Sequence, residues 1–148
     1  MNADARLNDL ILLNADEGRR YEMGGMTAIF KADEAETDSG YAVSEWVLEA
    51  GFDGGGPHRH AANDEIFFVV EGEPDILIGE TWHTVKRGAF VRIPGNIDHD
   101  FRNRTQSEAR LLNVFIPGGF EKNMPAIVSW FEENQTNQRG EKSGDRSC

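Results

Sequence analysis

The segment from His58 to Asn103 carries histidines and a glutamate at spacings that can close around one metal ion. His58 and His60 are two residues apart, so in an extended strand their side chains project from the same face. Imidazole and carboxylate together suit Fe, Mn, Ni, Cu or Zn, and four protein ligands leave two positions open on an octahedral ion. Substrate or dioxygen can bind at open positions. The residue types therefore predict a reactive transition-metal centre.

The first of two sequence blocks combines a His-x-His pair with a downstream glutamate and glycine. Six residues separate Gly51 from His58. Four residues separate His60 from Glu65, and six separate that glutamate from Gly72. This arrangement resembles the first motif of the cupin superfamily, which has five residues rather than six after its leading glycine.

The second block resembles the second cupin motif. It runs from Gly88 through Pro94 to His99 and Asn103. The motif's second glycine falls on Asn96, and asparagine adopts positive φ more readily than most residues, so the tight turn remains feasible. The two blocks stand in order with fifteen residues between them, and the resemblance extends over about residues 51–120.

The cupin resemblance implies a ligand set and a fold. The ligands of one divalent transition metal ion would be His58, His60, Glu65 and His99. None of them is replaced by the Gln, Asn or aromatic residues that mark cupins without metal. The implied fold is all-β, a cupin double-stranded β-helix (jelly-roll barrel) of six to eight strands, with a short C-terminal helix. His83 matches no motif position and is assigned no role.

Short alternating segments bounded by glycine and proline predict the elements that position these side chains. Strands are predicted over residues 41–49, 65–71, 76–78, 82–85, 89–93 and 110–116. Apolar residues then recur at helical spacing, with Pro125 in the first turn; they are Phe120, Met124, Ile127, Val128 and Phe131. Residues 1–20 form an N-terminal extension with a short helix over 3–13, residues 21–133 a single cupin barrel domain, and residues 134–148 a disordered tail.

Strand parity predicts which aromatic residues lie near the metal. Phe67 shares the parity of Glu65, and Phe101 shares that of His99. Phe115 is a further inward candidate on the last strand. These rings predict a substrate pocket suited to a flat or aromatic molecule, with ordinary core packing as an equally supported alternative for each ring.

The opposite parity of the second predicted strand leaves an apolar outward face. Ile66, Phe68 and Val70 require cover, because a sheet face of this kind is usually buried against something. The resemblance implies a homodimer, in which a second subunit supplies that cover. The C-terminal helix around Trp130 and Phe131 is the alternative source.

Composition limits the partners and the compartment. A chain of 148 residues with a net charge of −11 is sized for one domain and is not suited to nucleic acid or anionic membranes. Cys148 is the only cysteine, so a cytoplasmic location is expected. Residues 10–13 are too short an apolar run for a signal peptide, and no run approaches membrane-spanning length.

Three function classes follow from the resemblance. The favoured one is a metal-dependent dioxygenase acting on a small aromatic or enolisable organic substrate, with Glu65 as a ligand or as the catalytic base. The second is a non-redox isomerase, cyclase or lyase that uses the metal as a Lewis acid. A tyrosine-dependent lyase is disfavoured, because Ile66 and Phe67 follow the glutamate and the two tyrosines lie elsewhere, at Tyr21 and Tyr41. The third is a small-molecule-binding cupin without turnover.

Overall fold

The computed structural model describes residues 7–140 of the chain. Within them, nine strands precede a C-terminal helix. The strands are β1 (Arg19–Glu22), β2 (Met26–Ala32), β3 (Ala42–Leu48), β4 (Asp64–Glu71), β5 (Asp75–Ile78), β6 (Thr81–Thr84), β7 (Phe90–Ile93), β8 (His99–Arg102) and β9 (Ala109–Ile116). The helices are α1 (Glu34–Thr37) and α2 (Met124–Gly140), and a 3-10 turn over Glu121–Asn123 leads into α2.

The strands form two antiparallel sheets. The larger has the order β1-β2-β3-β9-β4-β7 and the smaller has the order β6-β5-β8. An isolated bridge between His58 and His99 joins the glycine-rich loop after β3 to the start of β8. The all-β cupin double-stranded β-helix with a C-terminal helix is therefore confirmed.

The core lies between the two sheets and follows the alternation of their strands. On β3, the inward side chains of Ala42, Ser44, Trp46 and Leu48 are all buried. Phe67 is fully buried on β4, where burial of a side chain of this size contributes about 1.5–3 kcal/mol. Burial agrees with the predicted inward parities of β4 and β9, whereas on β8 Asp100 is buried together with its inward neighbours His99 and Phe101.

A buried carboxylate connects the two helical segments. Asp33 caps α1 by accepting a hydrogen bond from the Glu34 backbone N–H at 2.7 Å. The same carboxylate accepts hydrogen bonds from the backbone N–H groups of Gly119, at 2.5 Å, and Glu121, at 2.6 Å. Arg19 pairs with both Glu36 and Glu121. These contacts fix where α2 starts.

The structure departs from the predicted elements at both ends of the chain. β1 begins at Arg19, inside the predicted extension, and α2 continues to Gly140, beyond the predicted end of the domain at residue 133. Of the predicted helix over 3–13, helical conformation ends at Leu7 and residues 10–14 are not helical. Residues 1–6 and 141–148, with the rest of that helix and of the predicted tail, lie outside the described residues. No helix in residues 7–140 has the length and apolar character needed to cross a membrane.

Candidate metal centre and its cavity

Three histidines converge at one end of the barrel. One ring nitrogen from each of His58, His60 and His99 lies within 4.8 Å of the other two. His58 and His60 come from the loop before β4, and His99 begins β8. Backbone hydrogen bonds in both directions between His58 and His99, at 3.0 and 2.8 Å, hold the loop against that strand. Histidines 41 residues apart in sequence are thereby brought to one point.

Backbone carbonyl groups orient two of the imidazole rings. Nδ1 of His58 lies 3.1 Å from the Gly56 carbonyl oxygen, and Nδ1 of His99 lies 2.9 Å from that of Ile97. A carbonyl oxygen only accepts hydrogen bonds, so Nδ1 is the protonated nitrogen in each neutral ring. The lone pair of Nε2 is then available to a metal, which is the usual arrangement around metal-bound histidine.

Glu65 lies beside these rings on β4. Its side chain is only 3% exposed, and its Oε2 lies 2.7 Å from Nε2 of His99 and 3.7 Å from Nε2 of His60. Its other oxygen, Oε1, accepts a hydrogen bond of 3.0 Å from Nδ2 of Asn113. One carboxylate oxygen is therefore held by the protein while the other faces the histidines.

The atoms that face the centre fit a bound cation. Nε2 of His60, Nε2 of His99 and Oε2 of Glu65 are buried and have no hydrogen-bond partner among the described residues. The short contact between Glu65 and His99 lacks the geometry of a hydrogen bond. Buried polar atoms are nearly always satisfied, and these converging atoms are of types that bind transition metals, so the group could hold a metal ion.

Burial and the neighbouring carboxylate set the protonation of the rings. Burial lowers the pKa of His60, which favours the neutral form that a metal needs. Burial also acts to lower the pKa of His99, but the adjacent Glu65 carboxylate, together with the Ile97 carbonyl, raises that pKa overall. A metal ion that binds here therefore competes with a proton at His99.

Two turns near the centre contain a residue with positive φ. Asn96 has a φ of 66°, so it adopts the left-handed conformation expected where the motif has glycine. Gly54 also has positive φ, and a Cβ there would lie 2.7 Å from Oδ2 of Asp100. That carboxylate accepts a 3.1 Å hydrogen bond from the Gly56 N–H, which holds the loop in front of His58.

A cavity of about 440 Å³ opens onto the metal centre. His58, His60 and Glu65 lie on its inner side. The rest of the wall is mostly apolar and comprises Met26, Trp46, Gly55, Gly56, Pro57, Asp100, Phe101, Phe115, Phe120, Asn123, Ile127, Trp130 and Phe131. The volume suits a small organic molecule of one to three rings.

The predicted pocket rings divide into two groups. Phe101 and Phe115 line the cavity. Phe67 is not part of its lining and lies in the core, with its ring centroid 6.4 Å from that of His99 and 5.7 Å from that of Phe101. Phe67 therefore packs against residues of the site without facing the cavity.

Known proteins can now be compared with this site. A family model described as the cupin domain matches residues 44–115, which include every residue of the metal centre. An uncharacterized protein of Streptomyces coelicolor is 33% identical over 97 residues, which cover 59% of this chain and 89% of that protein. The chain belongs to the cupin superfamily.

Solved structures place this cupin in the same fold. A predicted oxalate decarboxylase from Thermotoga maritima matches with a TM-score of 0.63 at 17% identity, covering 73% of this chain and 99% of that one. Ectoine synthase from P. lautus matches with a TM-score of 0.61 at 18% identity, covering 73% and 78% of the two chains. At such identities the likeness shows the fold alone.

Several residues of the cupin site are not evident from the sequence. Trp46 and Asp100 carry no motif signal, although Trp46 has the inward parity of β3 and Asp100 directly follows His99 on β8. Asn113 shares the inward parity of Phe115, which places its amide next to Glu65. The signal for Asn113 was a polar residue at a core position of a strand, where a buried amide needs a partner.

Replacement of Asn113 by alanine is expected to weaken metal binding about 10- to 100-fold, as for other partners that orient metal ligands. The variant removes the hydrogen bond that holds Oε1 of Glu65, so that carboxylate is no longer fixed towards the histidines. Competition with a chelator for Zn²⁺ measures the change. Thr84→Ala removes a side-chain hydrogen bond to Asp75 far from the site and serves as the control. Unaltered affinity in folded Asn113→Ala would show that this amide does not position Glu65.

Proposed function

We propose that this cupin is a metal-dependent oxygenase of the dioxygenase type, acting on a small aromatic or enolisable organic substrate. The observation that supports it most is the convergence of His58, His60, His99 and Glu65 at the inner side of an aromatic cavity. A redox-active metal in such a ligand set retains positions for other molecules. An apolar wall keeps water away from a reactive centre.

The four residues would hold one divalent ion of Fe, Mn, Ni, Cu or Zn. When bound, such an ion would polarise an oxygen-containing group of the substrate and, if redox-active, would pass electrons from the substrate to dioxygen. His58 and His99 would hold the ion through Nε2, because carbonyl groups engage their Nδ1 atoms. Nε2 of His60 lies beside the Glu65 carboxylate.

Glu65 would serve either as a ligand or as the catalytic base. Asn113 keeps Oε1 in place, which leaves Oε2 as the atom that can accept a proton from a hydroxyl or an enolisable carbon of the substrate. Its burial strengthens its interaction with any charge that develops nearby. Proton transfer at this atom requires the substrate to lie in the cavity beside His60.

The oxalate decarboxylase activity named for one structural neighbour fits this cavity poorly. Oxalate is a small dicarboxylate, and among the described residues no lysine or arginine lines the cavity to bind a second carboxylate. A tyrosine-dependent lyase is also poorly supported, because the Tyr21 hydroxyl group donates to Glu121 and neither Tyr21 nor Tyr41 lines the cavity. The aromatic wall favours a flat and less polar substrate.

The test combines metal analysis with oxygen consumption. Protein purified without a histidine tag is analysed for its elements and then assayed for oxygen uptake with flavonols and other enolisable aromatic compounds. About one Fe, Mn, Ni or Cu per chain with substrate-dependent uptake is the expected result. Stoichiometric zinc without uptake would overturn the oxygenase proposal in favour of a Lewis-acid isomerase, cyclase or lyase. Absence of any metal after reconstitution would leave a binding protein.

We also propose that the protein acts as a cytoplasmic homodimer through the outward face of the larger sheet. Phe68 is 42% exposed, Val70 39% and Phe90 64%, and Phe68 pairs with Phe90 across β4 and β7. Helix α2 does not cover this face, because Trp130 and Phe131 line the cavity instead. That placement of the two side chains supports a second subunit as the cover of this face.

Phe68→Asp is expected to abolish the dimer while leaving metal content unchanged. A charge at the centre of an apolar interface is uncompensated and costs several kcal/mol, whereas the side chain points away from the cavity. Light scattering after size-exclusion chromatography measures the mass. Thr81→Asp places the same charge on the exposed edge strand β6 as a control. A dimer that persists in Phe68→Asp would refute this interface.

A further inference from the structure

The inner face of α2 forms one wall of the cavity. Ile127, Trp130 and Phe131 occur at helical spacing, so their side chains project from one side of the helix. All three are half-buried and line the same cavity as His58 and His60. The helix therefore faces the metal centre across the space that a substrate would occupy.

The residues of this wall have separate roles. Phe131 packs against the loop that carries His58, because a Cβ on Gly55 would lie 3.0 Å from Cζ of Phe131. Its ring centroid also lies 6.3 Å from that of Phe52, a core residue. Phe131 therefore anchors the helix. Ile127 also packs against the core, and it lines the cavity together with Trp130, so both can contact a bound molecule.

The opposite side of the cavity is built from aromatic rings. Trp46 and Phe101 meet edge to face with centroids 5.8 Å apart. Phe115 and Phe120 stack at 4.1 Å with an interplanar angle of 8°. Rings fixed by such contacts present flat apolar surfaces, which complement a planar ligand.

The charges along the cavity are uneven. Glu65 and Asp100 contribute carboxyl groups, while no lysine or arginine lines the cavity within the described part of the chain. An anionic oxygen at the inner end can be balanced by a metal ion. A negative charge at the far end would lie against the half-buried Ile127 and Trp130 with only neutral donors of the described lining residues, such as the amide of Asn123, to donate to it, and an anion so poorly compensated is costly.

We infer that Ile127 and Trp130 on α2 select the substrate, by requiring that the part remote from the metal centre be flat, apolar and uncharged. This inference rests on the proposed function only in placing the reacting end of the substrate beside His60 and Glu65. It concerns binding and not the reaction that follows.

Two probes that differ at one end test the selection. 2-Naphthol presents a hydroxyl group to the metal and an apolar ring to α2, whereas 6-hydroxy-2-naphthoate carries a carboxylate on the remote ring. Calorimetric titration of the Zn²⁺-loaded protein measures both affinities without turnover. We expect 2-naphthol to bind about 10- to 100-fold more tightly, since no cationic side chain among the described lining residues compensates the remote carboxylate.

Ile127→Lys should reverse that preference or reduce it to about threefold or less, because its ammonium group supplies the missing partner. Ala126→Lys adds the same charge to the adjacent exposed position, outside the cavity lining, and should leave the preference intact. Trp130→Ala is the second variant, with an expected loss of about tenfold in 2-naphthol affinity through lost ring contact.

The outcomes separate this inference from the oxygenase proposal. Equal affinities of the two probes for the unaltered protein, or the same preference in Ile127→Lys and Ala126→Lys, would overturn the role of α2. Failure of both probes to bind would overturn it as well. The preference for 2-naphthol together with no oxygen uptake from any substrate would leave the inference standing and contradict the oxygenase.

Discussion

Replacement of His99 by alanine is expected to deprive the protein of its metal while the barrel remains folded. The substitution removes one of the three converging ring nitrogens. Even the loss of a residue that only orients a metal ligand typically lowers metal affinity about 10- to 100-fold. We therefore expect a loss of more than about 100-fold, and no measurable oxygenase activity. The backbone pairing of β8 with β5 does not depend on the imidazole, so the fold should persist.

Elemental analysis of untagged protein and circular dichroism together measure this effect. His83→Ala is the matched control, because His83 is exposed on β6 and remote from the cavity lining. It should retain the metal content of the unaltered protein. Stoichiometric metal in folded His99→Ala would contradict the proposed centre.

The convergence of the histidines was expected because their positions in both sequence blocks resemble the cupin motifs. Strand alternation does not explain the first pair, since His58 and His60 lie in the loop before β4, but a side-chain period of two does fix the inward face of each strand. Burial of Phe67, Phe101 and Phe115 followed from the same rule. Even the turn at Asn96 followed from the conformational preference of a single residue.

The composition of the cavity could not be predicted from parity, because it depends on how separate elements pack. Phe67 and Phe101 both point inward, yet only Phe101 reaches the cavity. The helical spacing of Ile127 and Phe131 indicated an apolar face without indicating which sheet it would meet. The position of α2 against the cavity depends on contacts between residues distant in sequence, such as the hydrogen bond from the Gly119 N–H to Asp33.

The strands β1 and β2 were missed for a related reason. β2 is buried on nearly every side chain, so it lacks the alternation of apolar and polar residues that indicates a half-buried strand. β1 is mostly exposed, and its polar sequence gives no period at all. Each strand is specified by its pairing partner, which the local sequence does not contain.

Loss of the Asp33 carboxylate is expected to have the second large effect, on stability and on the cavity together. Asp33 is 3% exposed and accepts hydrogen bonds from the N–H groups of Glu34, Gly119 and Glu121. Asp33→Ala leaves the buried N–H of Gly119 without a partner and removes the cap of α1. Together these changes should lower the free energy of unfolding by about 2–4 kcal/mol.

The same substitution should loosen α2, because Gly119 and Glu121 immediately precede the helix. Amide hydrogen exchange over residues 124–134 is expected to accelerate, and the affinity for 2-naphthol to fall about tenfold as Ile127 and Trp130 lose their fixed positions. Glu80→Ala removes an exposed carboxylate from the β5–β6 turn and should change neither property. Urea unfolding gives the stability of each variant. Unfolding at the same urea concentration, with unchanged exchange in α2, would show that Asp33 does not fix the cavity wall. A loss of stability with a fully protected helix would place its effect at α1 alone.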